Sequence, residues 1–275
     1  MDVTVRNEYD RLEYVMVAYP RNFRIDEIIN KMQSKFKGQI DQEIASQQFH
    51  NFTNLLIEHG VKVQFLDLVD SPEQVFTRDI GFTIDDILFV SNMARDIRQE
   101  EPNSLVDYFK DETINIHKMS HNAEGGDVFV HQDKVFVGVS KRTNMNGINE
   151  IQDVLEQHNK DIQVIPVKFN VEQLHLDCVF NILDQDTCII TDYVYNPEVI
   201  EQHFKNVVRF KGEDVDYLAT NYVHIGDGRM VCTNPRMAET LKELGYDPIL
   251  IEYDEFIKSG GSVRCSTLPI VRCAK

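Results

Sequence analysis

The stretch EGGDVFVHQDKVFVGV, residues 124–139, is a unit whose pattern returns along the chain and decides its fold. A loop with acidic residues and two glycines opens the unit, and short apolar runs follow on both sides of a turn at Gln132-Asp133. Such runs predict a β-hairpin. Comparable loops recur about every 40 to 50 residues, a spacing that indicates a repeat architecture. They are Thr77-Arg78-Asp79, His175-Leu176-Asp177, Thr220-Asn221-Tyr222 and Gly260-Gly261-Ser262-Val263-Arg264-Cys265.

Helical and extended segments complete these units. After the quoted hairpin, an apolar stripe at helical spacing is formed by Ile148, Ile151, Val154 and Leu155. Other stripes consist of Ala45, Phe49, Phe52 and Leu56, and of Met237, Leu241 and Leu244 with Gly245 in the cap position. Extended patterns follow at residues 61–67, 114–117, 162–169, 207–210 and 248–253. Each unit therefore reads ββαβ.

Five such units predict an α/β fold, namely a five-bladed α/β propeller of ββαβ repeats with pseudo-five-fold symmetry. The fifth unit lacks a hairpin strand, because the chain ends soon after residues 269–272. The apolar strand at residues 13–19 can supply it and close the ring, which removes exposed sheet edges. No linker-like run divides the chain. We therefore predict a single domain, residues 1–275, whose N-terminal strand closes the last blade.

Composition narrows the class of protein. With 275 residues, 42% apolar and 27% charged, the chain matches a globular protein. No apolar run approaches the roughly 18 residues of a membrane span, and the N-terminus lacks a signal pattern, so we predict a cytoplasmic protein without a membrane partner. The formal net charge of −17 argues against nucleic acid and suits a cationic small molecule. Five cysteines without metal-type spacing predict reduced thiols.

The opening loops carry the residue types of a nucleophilic site. Cys265 follows two glycines that allow close approach of the backbone to a ligand. A thiol needs a base or a nearby cation to become nucleophilic. His175, beside the carboxylate of Asp177, is the candidate acid/base, and Glu124 is the candidate partner of its imidazole. Asp79 completes a set of three carboxylates. Asn221, in the fourth loop, can be explained as a cap or as a partner of backbone groups.

Three carboxylates beside a thiol favour a planar guanidinium as substrate. Carboxylates bind its N–H groups in bidentate fashion and leave the central carbon open to attack. An anionic tail on the substrate would need a cation, for which Arg142 is the first candidate and Arg98 the weaker one, although Arg98 lies in a charge-rich stretch that can also be an exposed loop. We predict no metal and no cofactor, because His117 and His121, which have helical spacing, lack a third ligand.

These loops resemble the guanidino-group-modifying enzymes, whose five-bladed α/β propeller is called the pentein fold. The matching pieces lie in the family's order between residues 76 and 272: Phe76-Thr77-Arg78-Asp79, Glu124-Gly125-Gly126-Asp127, Arg142-Thr143, His175-Leu176-Asp177 and Gly260-Gly261 with Arg264-Cys265-Ser266. The resemblance implies that Cys265 is the nucleophile, His175 the acid/base and Glu124 its partner. It further implies guanidinium binding by Asp79 and Asp177, and binding of a substrate carboxylate by Arg142 and Arg98.

The resemblance implies a hydrolase that acts on the guanidino group of arginine or an N-methylated arginine and forms citrulline plus ammonia or an amine through a cysteine thiouronium. The length is similar to that of the dimethylarginine dimethylaminohydrolases, since arginine deiminases usually carry a helical insertion between the first two motifs. Asp177 departs from that subgroup, which generally lacks this carboxylate. Arginine deiminases and amidinotransferases carry His-Leu-Asp. The methylation preference of the substrate therefore stays open.

Two other functions stay open beside hydrolysis. An amidinotransferase would share every catalytic residue and would pass the amidino group to an amine instead of water. A propeller that only binds a partner is the remote alternative, because such a protein is expected to lack the Cys, His and acidic set. The sequence also leaves a homodimer open.

Overall fold

The computed structural model describes residues 2–273, and its strands form five three-stranded sheets. The strands are, in chain order, β1 (Arg11–Val17), β2 (Lys62–Phe65), β3 (Gly81–Ile84), β4 (Ile87–Val90), β5 (Asn115–Lys118), β6 (Val128–His131), β7 (Lys134–Val139), β8 (Gln163–Lys168), β9 (Phe180–Ile182), β10 (Thr187–Ile190), β11 (Asn206–Arg209), β12 (Val223–Gly226), β13 (Arg229–Cys232), β14 (Asp247–Leu250) and β15 (Leu268–Cys273). The helices are α1 (Lys31–Phe36), α2 (Gln42–Glu58), α3 (Asn103–Phe109), α4 (Met145–Gln157), α5 (Glu198–Glu201), α6 (Pro235–Glu243) and α7 (Asp254–Ile257).

Four sheets repeat one topology. In each of them an antiparallel hairpin is followed by a helical crossover and a third strand that pairs in parallel with the second: β3-β4-β5, β6-β7-β8, β9-β10-β11 and β12-β13-β14. The predicted α/β architecture of five related units is confirmed. The crossovers differ in size, because α4 has 13 residues whereas α5 is a single turn of four.

The fifth sheet joins the two ends of the chain. Strand β1 pairs antiparallel with β15, with Leu12 opposite Arg272 and Met16 opposite Leu268, and it pairs in parallel with β2. The N-terminal strand thus supplies the middle strand of the last blade, and β15 at its edge leads directly out of the loop that carries Cys265. That residues 1–275 form a single domain stays a prediction.

The helices bury the predicted apolar stripes. Ile148, Ile151, Val154 and Leu155 of α4 pack against the valines of β6 and β7, and each such side chain contributes roughly 1.5–3 kcal/mol by leaving water. The predicted stripe on α6 is wrong at one position. Leu244 is 40% exposed, because that helix ends at Glu243. Among residues 2–273, we find no helix with the length and apolar character of a membrane span.

Candidate active site

The loops that open the five blades are linked to one another by a closed ring of hydrogen bonds. Each loop bonds to the next, and the fifth loop returns to the first. The bonds run from Gly125 N to Asp79 O (3.4 Å), from Leu176 N to Asp127 Oδ1 (2.8 Å), from Thr220 Oγ1 to Asp177 O (3.2 Å), from Arg264 N to Asn221 Oδ1 (3.0 Å) and from Arg78 N to Cys265 O (2.9 Å). The ring brings together five side chains predicted for the site, all at most 3% exposed: Asp79, Glu124, His175, Asp177 and Cys265.

His175 lies between two carboxylates. Its Nε2 is 2.9 Å from Oε2 of Glu124, and its Nδ1 is 3.6 Å from Oδ1 of Asp79. Burial lowers the pKa of His175, but the charge of Asp79 and the hydrogen bond to Glu124 outweigh burial and raise that pKa to about 10. The imidazole is therefore protonated at neutral pH and can donate a proton.

The Glu124-Gly125-Gly126-Asp127 loop sets the position of this imidazole. A Cβ atom on Gly126 would lie 2.7 Å from Cγ of His175, so only glycine leaves room for the ring. Asp127 accepts hydrogen bonds from Leu176 N at 2.8 Å and from Ser140 Oγ at 2.6 Å. Gly126 thus allows this loop to approach the imidazole closely, and Asp127 holds the backbone of Leu176, the residue after His175.

Glu124 is fully buried and paired with two cations. Its Oε2 lies 3.4 Å from Nη1 of Arg142 as well as 2.9 Å from the imidazole, and its Oε1 accepts a hydrogen bond from Ala94 N at 3.0 Å. Burial raises the pKa of Glu124, but the hydrogen bond to His175 and the charge of Arg142 lower it to about 2. Glu124 is thus a permanent carboxylate that holds the imidazolium.

The sulfur of Cys265 faces Asp177 on one side and Asn221 on the other. Its Sγ is 3.8 Å from Oδ2 of Asp177 and 3.2 Å from Nδ2 of Asn221. Burial, and then the charges of Asp177 and Asp79, raise the pKa of the Cys265 thiol well above its usual value. Burial also raises the pKa of Asp177, and Arg264, whose Nε lies 3.7 Å away, acts against burial there. These surroundings therefore favour the neutral thiol.

The two arginines predicted to bind a substrate carboxylate have different surroundings. Arg142 is 1% exposed, and its Nη2 has no hydrogen-bond partner among residues 2–273. A cleft lined in part by Arg95, Lys141 and Arg142 opens at this point. An unpaired buried donor on a residue that lines a cleft suits an anionic group from outside.

Arg98 is held by acids of the protein itself. It is 2% exposed on a turn of 3-10 helix, Asp96–Arg98, rather than in an exposed loop. Its Nη1 is 2.7 Å from Oδ2 of Asp79, its Nη2 is 2.8 Å from Oε2 of Glu101, and its Nε is 3.8 Å from Oε2 of Glu73. These bonds direct Arg98 toward Asp79, and its contact with a substrate carboxylate stays a prediction.

One set of side chains has the spacing of a metal site, although the sequence predicts none. Single ligand atoms of Asp79, Glu124 and His175 lie within 4.8 Å of one another. Two arginine side chains already pair with the two carboxylates: Arg98 Nη1 lies 2.7 Å from Asp79, and Arg142 Nη1 lies 3.4 Å from Glu124. We therefore interpret the set as an arrangement for a proton and an organic cation.

From the sequence, two residues have no assigned role at the site: Asn221, which can be explained as a cap or a partner of backbone groups, and Glu8. Asn221 touches the sulfur, and the one sequence signal for it is its place in the fourth opening loop, equivalent to the places of the other site residues. Glu8 pairs with Arg264, the residue before Cys265, at 2.6 Å. Glu8 lies outside the repeats, so no repeat pattern indicates it.

The fold and the site together define a pentein enzyme that modifies guanidino groups. The chain belongs to the family described as N,N dimethylarginine dimethylhydrolase, eukaryotic, which matches residues 19–272. It is 35% identical over 97% of its length to the uncharacterized protein YkgA of Bacillus subtilis, of which 94% is covered. It is 24% identical to the N(G),N(G)-dimethylarginine dimethylaminohydrolase of Streptomyces coelicolor, with 83% of this chain and 87% of that protein covered.

Solved structures support the fold. The N-terminal domain of ArgZ, an arginine dihydrolase of cyanobacteria, has a TM-score of 0.86 and 20% identity, with 94% of this chain and 98% of that chain covered. SxtG, an amidinotransferase of Microseira wollei, has a TM-score of 0.82 and 18% identity, with 99% and 98% covered. At these identities the likeness establishes the pentein fold.

Proposed function

We propose that the protein hydrolyses the guanidino group of arginine or an N-methylated arginine, with Cys265 as nucleophile, His175 as acid and base, and Glu124 as the partner of His175. One observation carries the proposal: a buried thiol and a buried imidazole both lie against site carboxylates, with Cys265 Sγ 3.8 Å from Oδ2 of Asp177 and His175 Nδ1 3.6 Å from Oδ1 of Asp79. Asp79 acts electrostatically on both Cys265 and His175, and so does Asp177. A guanidinium cation bound between these acids neutralises them, which lowers the pKa of the thiol when the substrate is present.

The chemistry balances with the groups at hand. When the guanidinium binds, the Cys265 thiol loses its proton to solvent, and the resulting thiolate adds to the guanidinium carbon and forms a C–S bond. His175 then protonates the departing nitrogen, the C–N bond breaks, and ammonia or an alkylamine leaves. The neutral imidazole removes a proton from water, and the resulting hydroxide attacks the thiouronium carbon. The C–S bond of this adduct breaks and its hydroxyl proton passes to solvent, which gives citrulline and the thiolate.

Substrate binding follows from the charges around this centre. Asp79 and Asp177 accept N–H bonds from the guanidinium, and Arg142, with its unpaired Nη2, binds the α-carboxylate. We assign Arg98 to the positioning of Asp79 through their contact at 2.7 Å. A dimethylated nitrogen offers no N–H, so Asp177 favours a substrate whose nearest nitrogen is unmethylated. We further propose a cytoplasmic location, in accord with the metabolic nature of this substrate.

The test is incubation of the full chain with arginine, monomethylarginine, both dimethylarginines and agmatine, followed by detection of citrulline and of mass adducts on peptides. We expect citrulline from at least one amino acid substrate, a thiouronium adduct on Cys265, and poor turnover of agmatine, which has no carboxylate for Arg142. An adduct on another residue, or no turnover of any of these guanidines, contradicts the proposal.

Transfer of the amidino group is the second candidate, and Asp177 is the residue that favours it, because the His175-Leu176-Asp177 motif is similar to that of amidinotransferases. Adding glycine to the arginine reaction separates the two. Ornithine with guanidinoacetate indicates transfer to the amine, and citrulline indicates hydrolysis.

A further inference from the structure

The fourth blade contributes a side chain to the site that the proposed mechanism leaves unused. Asn221 is 1% exposed, and its Nδ2 donates a hydrogen bond to Sγ of Cys265 at 3.2 Å. The other four blades supply the proposed nucleophile, the acid/base and the carboxylates. Asn221 is the equivalent contribution from the fourth, so its contact with the sulfur needs a chemical explanation.

The orientation of this amide is fixed by a backbone group. The N–H of Arg264 points at Oδ1 of Asn221 at 3.0 Å, and because a backbone N–H can only donate, the oxygen must face it. The NH2 group is thereby turned toward the sulfur, which settles the amide orientation on hydrogen-bonding grounds.

The backbone that carries Asn221 is held as well. Asn181 of the third blade donates from Nδ2 to the carbonyls of Thr220 at 2.8 Å and Tyr222 at 3.1 Å, on both sides of Asn221. The N–H of Asn221 itself bonds to Leu218 O at 2.9 Å. The donor is thus preorganised rather than dependent on ligand binding.

We propose that Asn221 is a positioning residue for Cys265, one that orients the sulfur by this hydrogen bond and stabilises its thiolate form. The inference rests on the proposed role of Cys265 as nucleophile. The physical reason is a difference between the two protonation states: an amide N–H bonds more strongly to an anion than to a neutral thiol. The ionisable groups around the sulfur oppose or modulate this effect; they are Asp177, Asp79, Arg264, Cys178 and Tyr253.

The test follows the alkylation of Cys265 by iodoacetamide across neutral and alkaline pH, read from the Cys265 peptide by mass spectrometry so that the other cysteines do not contribute. In Asn221→Leu the donor is lost, and we expect alkylation at neutral pH to slow about tenfold and the midpoint of its pH profile to rise by about one unit. Asn221→Asp keeps the acceptor for Arg264 N and replaces the donor to sulfur, and we expect at least as large a shift.

The matched control is Thr220→Val. This change removes the neighbouring bond of the same ring, from Thr220 Oγ1 to Asp177 O, and leaves the contact with sulfur in place. We expect an unchanged pH profile. If the Asn221 variants only lose thermal stability and alkylate with the wild-type pH profile, the inference is wrong.

The experiment separates this inference from the proposed function, because alkylation requires no substrate. A shifted profile in a protein that turns over no guanidine overturns the proposed function and leaves the role of Asn221 standing. An unshifted profile in a protein that forms citrulline overturns the role of Asn221 alone. If Asn221→Leu does not fold, Asn221→Asp, which preserves the ring, gives the decisive profile.

Discussion

Two buried clusters of opposite charge lie side by side where the five blades meet. The acid cluster consists of Asp79, Glu124 and Asp177 around Cys265 and His175, and the arginine cluster consists of Arg78, Arg264 and Arg272 around Glu8. Neighbours in sequence divide between them, since Arg78 precedes Asp79 and Arg264 precedes Cys265. The contact of 3.7 Å between Arg264 Nε and Asp177 Oδ2 joins the clusters.

The arginine cluster carries fixed charge. Burial lowers the pKa of Arg78 to about 9 and that of Arg272 to about 10, so both remain cationic at neutral pH. Burial raises the pKa of Glu8, but the charges of Arg264 and Arg78 outweigh it and lower that pKa to about 2. Near neutral pH the arginines of this cluster therefore stay cationic and Glu8 stays anionic, and we interpret the cluster as structural.

The acid cluster holds protons that a ligand can move. The pKa values of Cys265, His175 and Asp177 are all raised, the first by burial and adjacent acids, so a bound cation changes every one of them in the same direction. The comparison teaches that burial alone does not mark a functional site. What separates the clusters is whether protonation can respond to a ligand, and this can be tested by variants that affect only one cluster.

The largest expected effect is that of Cys265→Ser on activity. Without the thiol, the C–S intermediate cannot form, and we expect turnover of the guanidine substrate to fall at least about a thousandfold while the free energy of unfolding changes by less than about 1 kcal/mol. Citrulline formation and urea denaturation measure the two quantities. Cys188→Ser, a buried cysteine in β10, is the control and should keep its activity. Residual turnover near that of the wild type contradicts the assignment.

Glu8→Gln, in contrast to Cys265→Ser, should act mainly on stability. The change removes the carboxylate that pairs with Arg264 and leaves three buried guanidinium groups around a neutral amide, a situation that costs about 3–5 kcal/mol. We expect that loss in the free energy of unfolding, measured by urea denaturation at neutral pH. Glu58→Gln, an exposed acid on α2, serves as the control and should shift it by less than about 0.5 kcal/mol.

The pH dependence of the same variant sharpens the result. Because the pKa of Glu8 falls from 4.5 to about 2 on folding, its contribution is complete above about pH 4.5 and is lost as the pH falls toward 2. We therefore expect the stability difference between wild type and Glu8→Gln to shrink by about 3 kcal/mol over this window. A difference that stays constant would mean that Glu8 acts through packing rather than charge.

The acid cluster was easier to predict from sequence than the arginine cluster, for a physical reason. The site residues lie at equivalent points of a repeat, namely Asp79, Glu124, His175 and Cys265. The strand pattern that predicts the blades therefore also predicts that these side chains lie close together. Glu8 bonds to Val130 N and to Arg264, which are 122 and 256 residues away in sequence, and no repeat relates these positions. Local patterns cannot indicate a contact of that kind.

Arg98 and Leu244 illustrate the same limit at single residues. The charge-rich surroundings of Arg98 favour an exposed loop, yet the side chain is buried among acids. Glu101 is only three residues away, whereas Asp79 and Glu73 come from another part of the chain, which local composition does not indicate. The periodic pattern of α6 extends to Leu244, but the helix ends one residue earlier, because Gly245 adopts a φ of 90°. Periodicity indicates which face of a helix is apolar, but it does not indicate where the helix ends.

Gly126→Ala tests how closely the acid cluster is packed. The added Cβ would lie 2.7 Å from both Cγ and Nδ1 of His175 and 2.9 Å from Oδ1 of Asp79, so the imidazole must move. A shift of this size in a proton donor costs about a hundredfold in turnover. Steady-state kinetics measure this loss of turnover. Gly245→Ala is the control, since the added Cβ would meet nothing within 4 Å. Because Gly245 has a φ of 90°, the control should lose some stability but no activity. Equal turnover of both variants would contradict the packing argument.

Asp177→Asn, at the boundary of the two clusters, should have the smallest effect and the most specific one. The neutral amide accepts the N–H of an unmethylated guanidinium less strongly than the carboxylate does. When a methylated nitrogen offers no N–H, an unpaired amide oxygen also costs less than an unpaired buried carboxylate. We expect the ratio of kcat/KM for arginine to that for asymmetric dimethylarginine to fall about tenfold. Stability should not fall by more than about 1 kcal/mol, because the amide has the same shape as the carboxyl and burial opposes the charge of Asp177. A large loss of stability with an unchanged ratio would instead assign Asp177 to the arginine cluster, as a second counter-ion beside Glu8.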